Sequence, residues 1–189
     1  VARALLAEGV GENERVAIFD KNSVEYFELL FGGGKVNAVN VSVNWRLAGP
    51  EIAQILDDSD AKVLVVGAEF TDVLDAIADQ LTKIKKIVVV GGHPGYDSFE
   101  SWVDAQPATD TVTESGPGDV CLQLYTSGTT GLPKGVMLTN SNLFSVMPAA
   151  ADWGINADSV NLVGMPLFHI GGMGYALVGM FAGCNSVLL

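Results

Sequence analysis

Short apolar runs alternate with stretches of helical periodicity along most of this chain. Runs this short, and this rich in Val, Ile and Leu, are typical of strands buried on both faces, as in largely parallel sheets. Strand–helix alternation in turn predicts a layered α/β fold with mostly parallel sheets flanked by helices. The predicted strands are residues 15–19, 38–43, 62–66, 86–90, 120–125, 135–138, 162–165 and 186–189.

The segments between the first four runs carry helix-start signals. Asn22 and Glu25 have the spacing of a capping box. Pro50 suits the first turn of a second helix, and Thr71 is a candidate N-cap for a third. These signals predict helices between successive strands, as a parallel sheet requires.

The second half of the chain has the same pattern after an irregular connection. Residues 91–118 are rich in Gly, Pro and Ser, and we expect them to join two portions of the fold, 1–110 and 111–189. Thr139 or Asn140 is predicted to cap a helix towards Trp153, which Pro148 kinks or ends.

Composition and charge narrow the possible functions. Hydrophobic residues make up 49% of the 189 residues and charged residues 17%, which excludes a disordered chain. The formal net charge is −12, and an acidic surface repels phosphate backbones, so we expect no nucleic-acid partner. A nucleotide site would have to build its positive potential locally, from backbone N–H groups, a lysine and a metal.

One apolar stretch imitates a membrane span. Residues 160–189 contain no Asp, Glu, Lys or Arg, and their length would allow a transmembrane helix. Pro166, His169, Asn185 and several glycines interrupt the stretch, so we expect a buried strand, loop, helix and strand instead. The membrane alternative would show in cell fractionation.

Cysteines and chain ends say little about function. Cys121 and Cys184 are too few and too far apart for a disulfide framework or a zinc cluster, and we interpret both as small buried residues in a reducing cytosol. The chain starts at Val1, within an apparent helix and without a signal-peptide pattern, and stops on an apolar run. We therefore expect a segment of a longer protein.

The segment 125–135 has an unusual chemistry. An apolar strand ends abruptly in hydroxyl residues and glycines, and a lysine follows. Such a loop can direct several N–H groups at one point, forming an anion nest. Charge-assisted hydrogen bonds from a lysine add roughly 1.5–3 kcal/mol each. The candidate phosphate contacts are Thr126, Ser127, Gly128, Thr129, Thr130, Gly131 and Lys134.

This loop is not a Walker A motif. That motif has Gly before its lysine and Ser or Thr after it, whereas Lys134 lies between Pro133 and Gly135. Lys134 also does not open a helix, so a helix dipole has no part in the prediction. From composition alone, a surface loop without a ligand remains the alternative.

The run Tyr125-Thr-Ser-Gly-Thr-Thr-Gly-Leu-Pro-Lys-Gly-Val-Met-Leu-Thr139 resembles the phosphate-loop signature of the adenylate-forming superfamily, in its acyl-CoA synthetase branch. The resemblance covers most of the chain. Residues 38–47 are similar to its second strand and the following turn, although the family usually has proline at Ser42. Residues 166–169, Pro-Leu-Phe-His, with Gly171 and Gly172, resemble the acyl-pocket motif.

His169 has two interpretations. A lone histidine beside an apolar run is more often structural, whereas the resemblance implies that His169 lines or gates an acyl pocket together with Gly171 and Gly172. Proton transfer is not assigned to it. Trp153, Met173 and Tyr175 are candidates for the same pocket, but we expect each of them to pack in the core.

The resemblance implies ATP and coenzyme A as co-substrates and Mg²⁺ as a metal cofactor. The implied substrate is a small carboxylic acid of fatty-acid metabolism. It implies a cytoplasmic enzyme without a transmembrane segment, and it leaves a peripheral membrane contact open. The Thr126 hydroxyl is the implied metal contact, with Thr130 behind it. No residue of this segment is implied as catalytic, and later motifs of the family are absent, so we expect these 189 residues to be inactive alone. A module that loads a carrier protein and a non-catalytic nucleotide-binding domain remain alternatives.

Overall fold

A computed structural model describes residues 1–126 and 132–189 and confirms the α/β prediction. Ser127, Gly128, Thr129, Thr130 and Gly131 lie outside the described residues, and what was predicted for them stays a prediction. The strands are β1 Arg15–Phe19, β2 Val39–Ser42, β3 Ala61–Gly67, β4 Lys86–Val90, β5 Asp97–Ser98, β6 Val120–Thr126, β7 Lys134–Thr139, β8 Val160–Val163 and β9 Asn185–Leu188. The helices are α1 Ala2–Ala7, α2 Val24–Lys35, α3 Gly49–Asp58, α4 Thr71–Ile77, α5 Phe99–Asp104, α6 Asn140–Phe144, α7 Ala149–Asp152 and α8 Ile170–Phe181.

Seven of the described strands form one sheet in the order β5-β4-β3-β1-β2-β6-β7. All neighbours pair in parallel except β6 and β7, which are antiparallel. The sheet continues across position 110, because Asn40 of β2 is in register with Leu122 of β6. The two portions expected from the sequence therefore share one sheet, and their boundary stays a prediction.

The central strands are buried on both faces, as their apolar runs predict. Along β1, Val16 and Ile18 pack in one core cluster, whereas Ala17 and Phe19 pack in the other. This alternation follows from the two-residue period of a strand, which sends successive side chains to opposite faces. The sheet is thus the middle of three layers.

Helices cover the two faces in separate groups. On one face α1, α2 and α5 bury Leu5, Leu29 and Trp102. On the other face α3 and α4 bury Ile52 and Leu74. Full burial of a Leu or Ile side chain contributes about 1.5–3 kcal/mol, so this packing stabilises the helices on the two faces of the sheet.

The apolar stretch after residue 160 forms the predicted strand, loop, helix and strand. Strands β8 and β9 pair in parallel as a separate small sheet, and α8 packs on them. Met173 and Ala176 of α8 join the core cluster on the α2 side of the large sheet. In the part of the chain that the structure describes, no helix has the length and apolar character needed to cross a bilayer.

Two of the predicted helix caps are wrong. Ser23, not Asn22, caps α2, since its Oγ accepts the Tyr26 N–H at 3.3 Å. The Asn22 carboxamide instead bonds to backbone groups more than 140 residues away in the chain. Thr71 is the first residue of α4, and its hydroxyl donates to the Ala68 carbonyl of a preceding 3-10 turn rather than capping the helix.

Pro50 and Thr139 lie in the helix starts predicted for them, whereas the helix predicted to run to Trp153 is interrupted. Pro50 lies in the first turn of α3, and the Thr139 hydroxyl caps α6 by accepting the Asn142 N–H at 3.2 Å. The helix predicted to run to Trp153 is two short helices, and Pro148 is the residue from which the second one starts.

Both cysteines are free thiols and are half-buried rather than buried. Each thiol donates to a backbone carbonyl, Cys121 to Leu138 and Cys184 to Gly179. Burial raises the pKa of the Cys121 thiol to about 11, so this thiol is neutral at physiological pH.

Candidate functional site

The two ends of the predicted phosphate loop are directly opposite each other across an antiparallel strand pair. Thr126 ends β6 and Lys134 begins β7, and the two residues are in register. Both are exposed, so the Thr126 hydroxyl and the Lys134 ammonium group are accessible at the mouth of the hairpin. The structure confirms that the loop is held between two strands and that Lys134 does not begin a helix.

A hydrogen-bonded tyrosine fixes the base of this hairpin to α3. The Tyr125 hydroxyl donates to the Asp58 carboxylate at 2.6 Å and accepts from the Gln123 amide at 2.9 Å. Burial, with the Asp58 carboxylate next, raises the pKa of Tyr125, so the hydroxyl stays protonated and keeps donating. At Gly135 a Cβ atom would lie 2.5 Å from Gln123 Nε2, so only glycine allows these side chains to cross β7 undisturbed.

The hairpin opens at the carboxyl edge of the parallel strands. Strands β1, β2 and β6 are neighbours and run in the same direction, so the segments after them meet at this edge. Ligands of open α/β sheets bind outside the carboxyl ends of the strands. The fold therefore places the predicted phosphate loop where such sheets usually hold a ligand.

The predicted acyl-pocket motif reaches the same edge. Residues 166–169, which we call the 166–169 turn, connect β8 to α8. Asn22, just after β1, contacts the turn by accepting the Leu167 N–H at 2.9 Å. Trp45, after β2, contacts it through Phe168, with ring centroids 6.4 Å apart. The structure thus brings both predicted site segments to one side of the sheet.

His169 has a structural role that the spacing alone favoured. It is the N-cap of α8, and its Nδ1 accepts the Gly171 N–H at 3.0 Å. Because Nδ1 accepts, the proton of a neutral ring is on Nε2, which is free to donate outwards from an exposed side chain. Capping and a ligand contact are therefore compatible.

The backbone around the turn requires glycine at position 172. A Cβ at this position would lie 2.3 Å from the Pro166 carbonyl oxygen and 2.7 Å from that of Met165. Backbone atoms cannot yield as a flexible side chain can, so glycine lets α8 approach the turn this closely.

The three further pocket candidates differ in burial. Met173 is buried as expected, whereas Tyr175 is half-buried and Trp153 is 57% exposed.

A cation–aromatic cluster at this edge had no counterpart in the sequence predictions. The Arg46 guanidinium lies 4.7 Å from the Trp45 ring centroid and 5.9 Å from that of Phe168. Lys21 lies 5.8 Å from Trp45 on the same edge and also pairs with Glu69. Arg46 and Lys21 thus add positive charge to this edge of an acidic chain, although the Glu69 carboxylate offsets that of Lys21.

A protein-built metal cage is not present in the part of the chain that the structure describes. Among residues 1–126 and 132–189, no three His, Cys, Asp or Glu side chains cluster in a way that could hold an ion. Mg²⁺ bound with ATP needs little from the protein, because waters and phosphate oxygens fill most of its six positions. The exposed Thr126 hydroxyl, a hard oxygen donor at the mouth of the hairpin, fits one such position.

Comparison with known proteins decides the family. The family model described as AMP-binding enzyme matches residues 1–189. The chain belongs to the AMP-binding enzyme family. Within this family it is 38% identical over its whole length to the fatty acid–[acyl-carrier-protein] ligase ScoC of Streptomyces coeruleorubidus. It is 37% identical over 89% of its length to the long-chain-fatty-acid–CoA ligase FadD13 of Mycobacterium tuberculosis.

Solved structures of AMP-binding enzymes have the same fold. The anthranilate CoA ligase AuaEII, in complex with anthranoyl-AMP, matches all of this chain with a TM-score of 0.86 and 31% identity. The chain spans about a third of the length of these proteins: 36% of ScoC, 33% of FadD13 and 36% of AuaEII.

The sequence predicted the phosphate loop and the 166–169 turn, but not the residues that support them. Tyr26, Ser42, Trp45 and Arg46 lie far from the two motifs along the chain, and the resemblance over residues 38–47 gave none of them a role at the site. A polar residue in an apolar run was the one available signal, and Ser42 in β2 carries it.

Proposed function

We propose that the protein activates a carboxylic acid with ATP and transfers the acyl group to a thiol, with coenzyme A as the acceptor and a fatty acid as the substrate. The carboxylate oxygen attacks the α-phosphorus, and the bond to pyrophosphate breaks. The thiol then attacks the acyl carbon, and AMP leaves. The observation that carries this proposal is the Thr126–Lys134 pairing, which closes a hydroxyl- and glycine-rich loop at the carboxyl edge of the sheet.

On the nucleotide side, this chain binds and neutralises rather than attacks. Lys134 is proposed to donate to the β- and γ-phosphates, where its positive charge would offset the charge of the leaving pyrophosphate. Ser127, Gly128, Thr129, Thr130 and Gly131 complete the proposed contacts. Mg²⁺, when bound, neutralises phosphate oxygens, and Thr126 is the residue proposed to contact it.

On the acid side, the 166–169 turn and α8 form one wall of the site. We propose that His169, at the exposed start of α8, donates from Nε2 towards the acyl group or its adenylate. Gly171 and Gly172 are proposed to line this wall, and Gly172 lets the start of α8 lie close to the turn. The apolar residues of the 166–169 turn and α8 favour binding of an apolar acyl chain over a charged one.

The acceptor is the least constrained part of the proposal. ScoC is named for transfer to an acyl-carrier protein and FadD13 for transfer to coenzyme A, and the chain is nearly equally similar to both. Loading of a carrier protein is therefore the second candidate. The free thiols of Cys121 and Cys184 support the proposal of a cytoplasmic enzyme.

The test is acid-dependent release of pyrophosphate by the intact protein that contains this chain. We expect release with ATP, Mg²⁺ and dodecanoate, and AMP formation once coenzyme A is added. Benzoate serves as the comparison acid, and a purified acyl-carrier protein as the comparison acceptor. Absence of release with every acid would contradict the proposed activity. Residues 1–189 alone are predicted to release none.

A further inference from the structure

Three polar side chains from the first quarter of the chain, Asn22, Tyr26 and Ser42, are linked by hydrogen bonds to the 166–169 turn. Asn22 uses both ends of its carboxamide: Oδ1 accepts from Leu167 N at 2.9 Å, and Nδ2 donates to Met165 O at 3.1 Å and Leu189 O at 3.0 Å. These contacts join the segment after β1 to the residues that follow β8 and to the residue that follows β9. Asn22 therefore connects the large sheet to the β8–α8–β9 unit by hydrogen bonds.

Tyr26 and Ser42 add a second link inside the core. The Tyr26 hydroxyl lies 3.0 Å from the Leu167 carbonyl oxygen and 2.7 Å from Ser42 Oγ. A carbonyl can only accept, so the single proton of Tyr26 goes to Leu167, and Ser42 must donate to Tyr26. The hydrogen bonds therefore run in one direction, from Ser42 through Tyr26 to the turn.

Burial makes this link more important than a surface contact. Tyr26, Ser42 and Leu167 are 4%, 3% and 2% exposed, so water cannot replace a lost partner. Burial also raises the pKa of Tyr26 to about 12, so the hydroxyl remains a donor. A buried carbonyl without its donor would drive the turn to a new position.

We propose that Asn22, Tyr26 and Ser42 are positioning residues for the acid substrate. By fixing the backbone at Leu167, they set the position of His169 and the start of α8 at the site. Misplacement of a positioning group by about 1 Å can cost roughly 100-fold in rate, so a loosened turn is sufficient to impair the acid side. The inference rests on the proposed function and assigns these residues to the acid rather than to ATP.

The principal variant is Tyr26→Phe in the intact protein, which removes one oxygen atom and keeps the ring. With dodecanoate as the probe we expect kcat/KM for the acid to fall about tenfold or more, while KM for ATP changes less than about twofold. Ser42→Ala leaves the Tyr26–Leu167 bond in place, so its effect should have the same direction and be smaller. Tyr96→Phe makes the same chemical change at a half-buried tyrosine bonded to Asp75, and serves as the matched control.

Hydrogen exchange gives a readout that does not need activity. We expect Tyr26→Phe to speed amide exchange in the peptide 164–172 and to leave the peptide 61–67 in β3 unchanged. Unchanged exchange in 164–172, or a change in KM for ATP as large as the fall in kcat/KM for the acid, would overturn the inference. If the wild-type protein releases no pyrophosphate with any acid, the proposed function fails, and the exchange result still decides whether these residues hold the turn. If Tyr26→Phe does not fold, Ser42→Ala decides by the same two measurements.

Discussion

The phosphate hairpin and the 166–169 turn lie on one edge of the sheet but are built in different ways. The hairpin depends on local contacts, because its two ends, Thr126 and Lys134, are close in sequence and pair directly. The turn is a long-range object, because its backbone is bonded by Asn22 and Tyr26, each 141 or more residues away. One region is specified by its own motif, and the other by distant residues.

This difference predicts how each region fails. Removing a hairpin side chain should weaken ligand binding and leave the fold intact, since the exposed groups do not support the core. Changing the turn should affect stability and acid handling together, because its contacts are buried. The predictions below separate these two behaviours.

Lys134→Ala should have the largest effect on activity. Loss of a charge-assisted hydrogen bond of roughly 1.5–3 kcal/mol corresponds to a decrease of roughly 10- to 150-fold in kcat/KM for ATP. The melting temperature without nucleotide should not change, because Lys134 is exposed. Lys85→Ala, which removes the same charge from an exposed lysine outside the site, is the control. A marked loss of melting temperature in Lys134→Ala would show that the lysine is structural.

Gly172→Ala should damage the turn. The added methyl group meets backbone oxygens at Pro166 and Met165, and overpacking of this kind costs about 1–3 kcal/mol in the free energy of unfolding. Gly174→Ala, in the same helix with open space around it, should stabilise by about 0.5–1 kcal/mol. Urea unfolding of both variants measures the difference, and equal stabilities would contradict the close approach.

Cys121 gives the smallest effect and reports on the base of the hairpin. Its pKa is raised from the ordinary 9.0 to about 11, so the stability gained from the neutral thiol is complete below about pH 9 and is lost as pH rises towards 11. Alkylation by iodoacetamide at pH 8 should be much slower in the folded than in the urea-unfolded protein. Equal rates would mean that the β6–β7 base is open.

The sequence was sufficient for the features whose causes are local. Apolar runs predicted the buried strands, and the hydroxyl–glycine–lysine pattern predicted the strand-flanked loop. It was insufficient for Asn22, whose capping-box spacing suggested a helix cap although its carboxamide donates to the backbone carbonyls of Val163 in β8 and Met165 just after it. The spacing describes only neighbours in the chain, whereas the choice between two hydrogen-bond partners depends on which distant groups the fold brings together.

The proposed function depends on the closure of residues 126–134 around the polyphosphate of ATP. The most direct measurement is amide exchange of the peptide 125–135 in the intact protein, with and without millimolar ATP and Mg²⁺. We expect clear slowing of exchange on addition of ATP in the wild type, and much less slowing in Lys134→Ala. Identical exchange with and without ATP in the wild-type protein would contradict this closure.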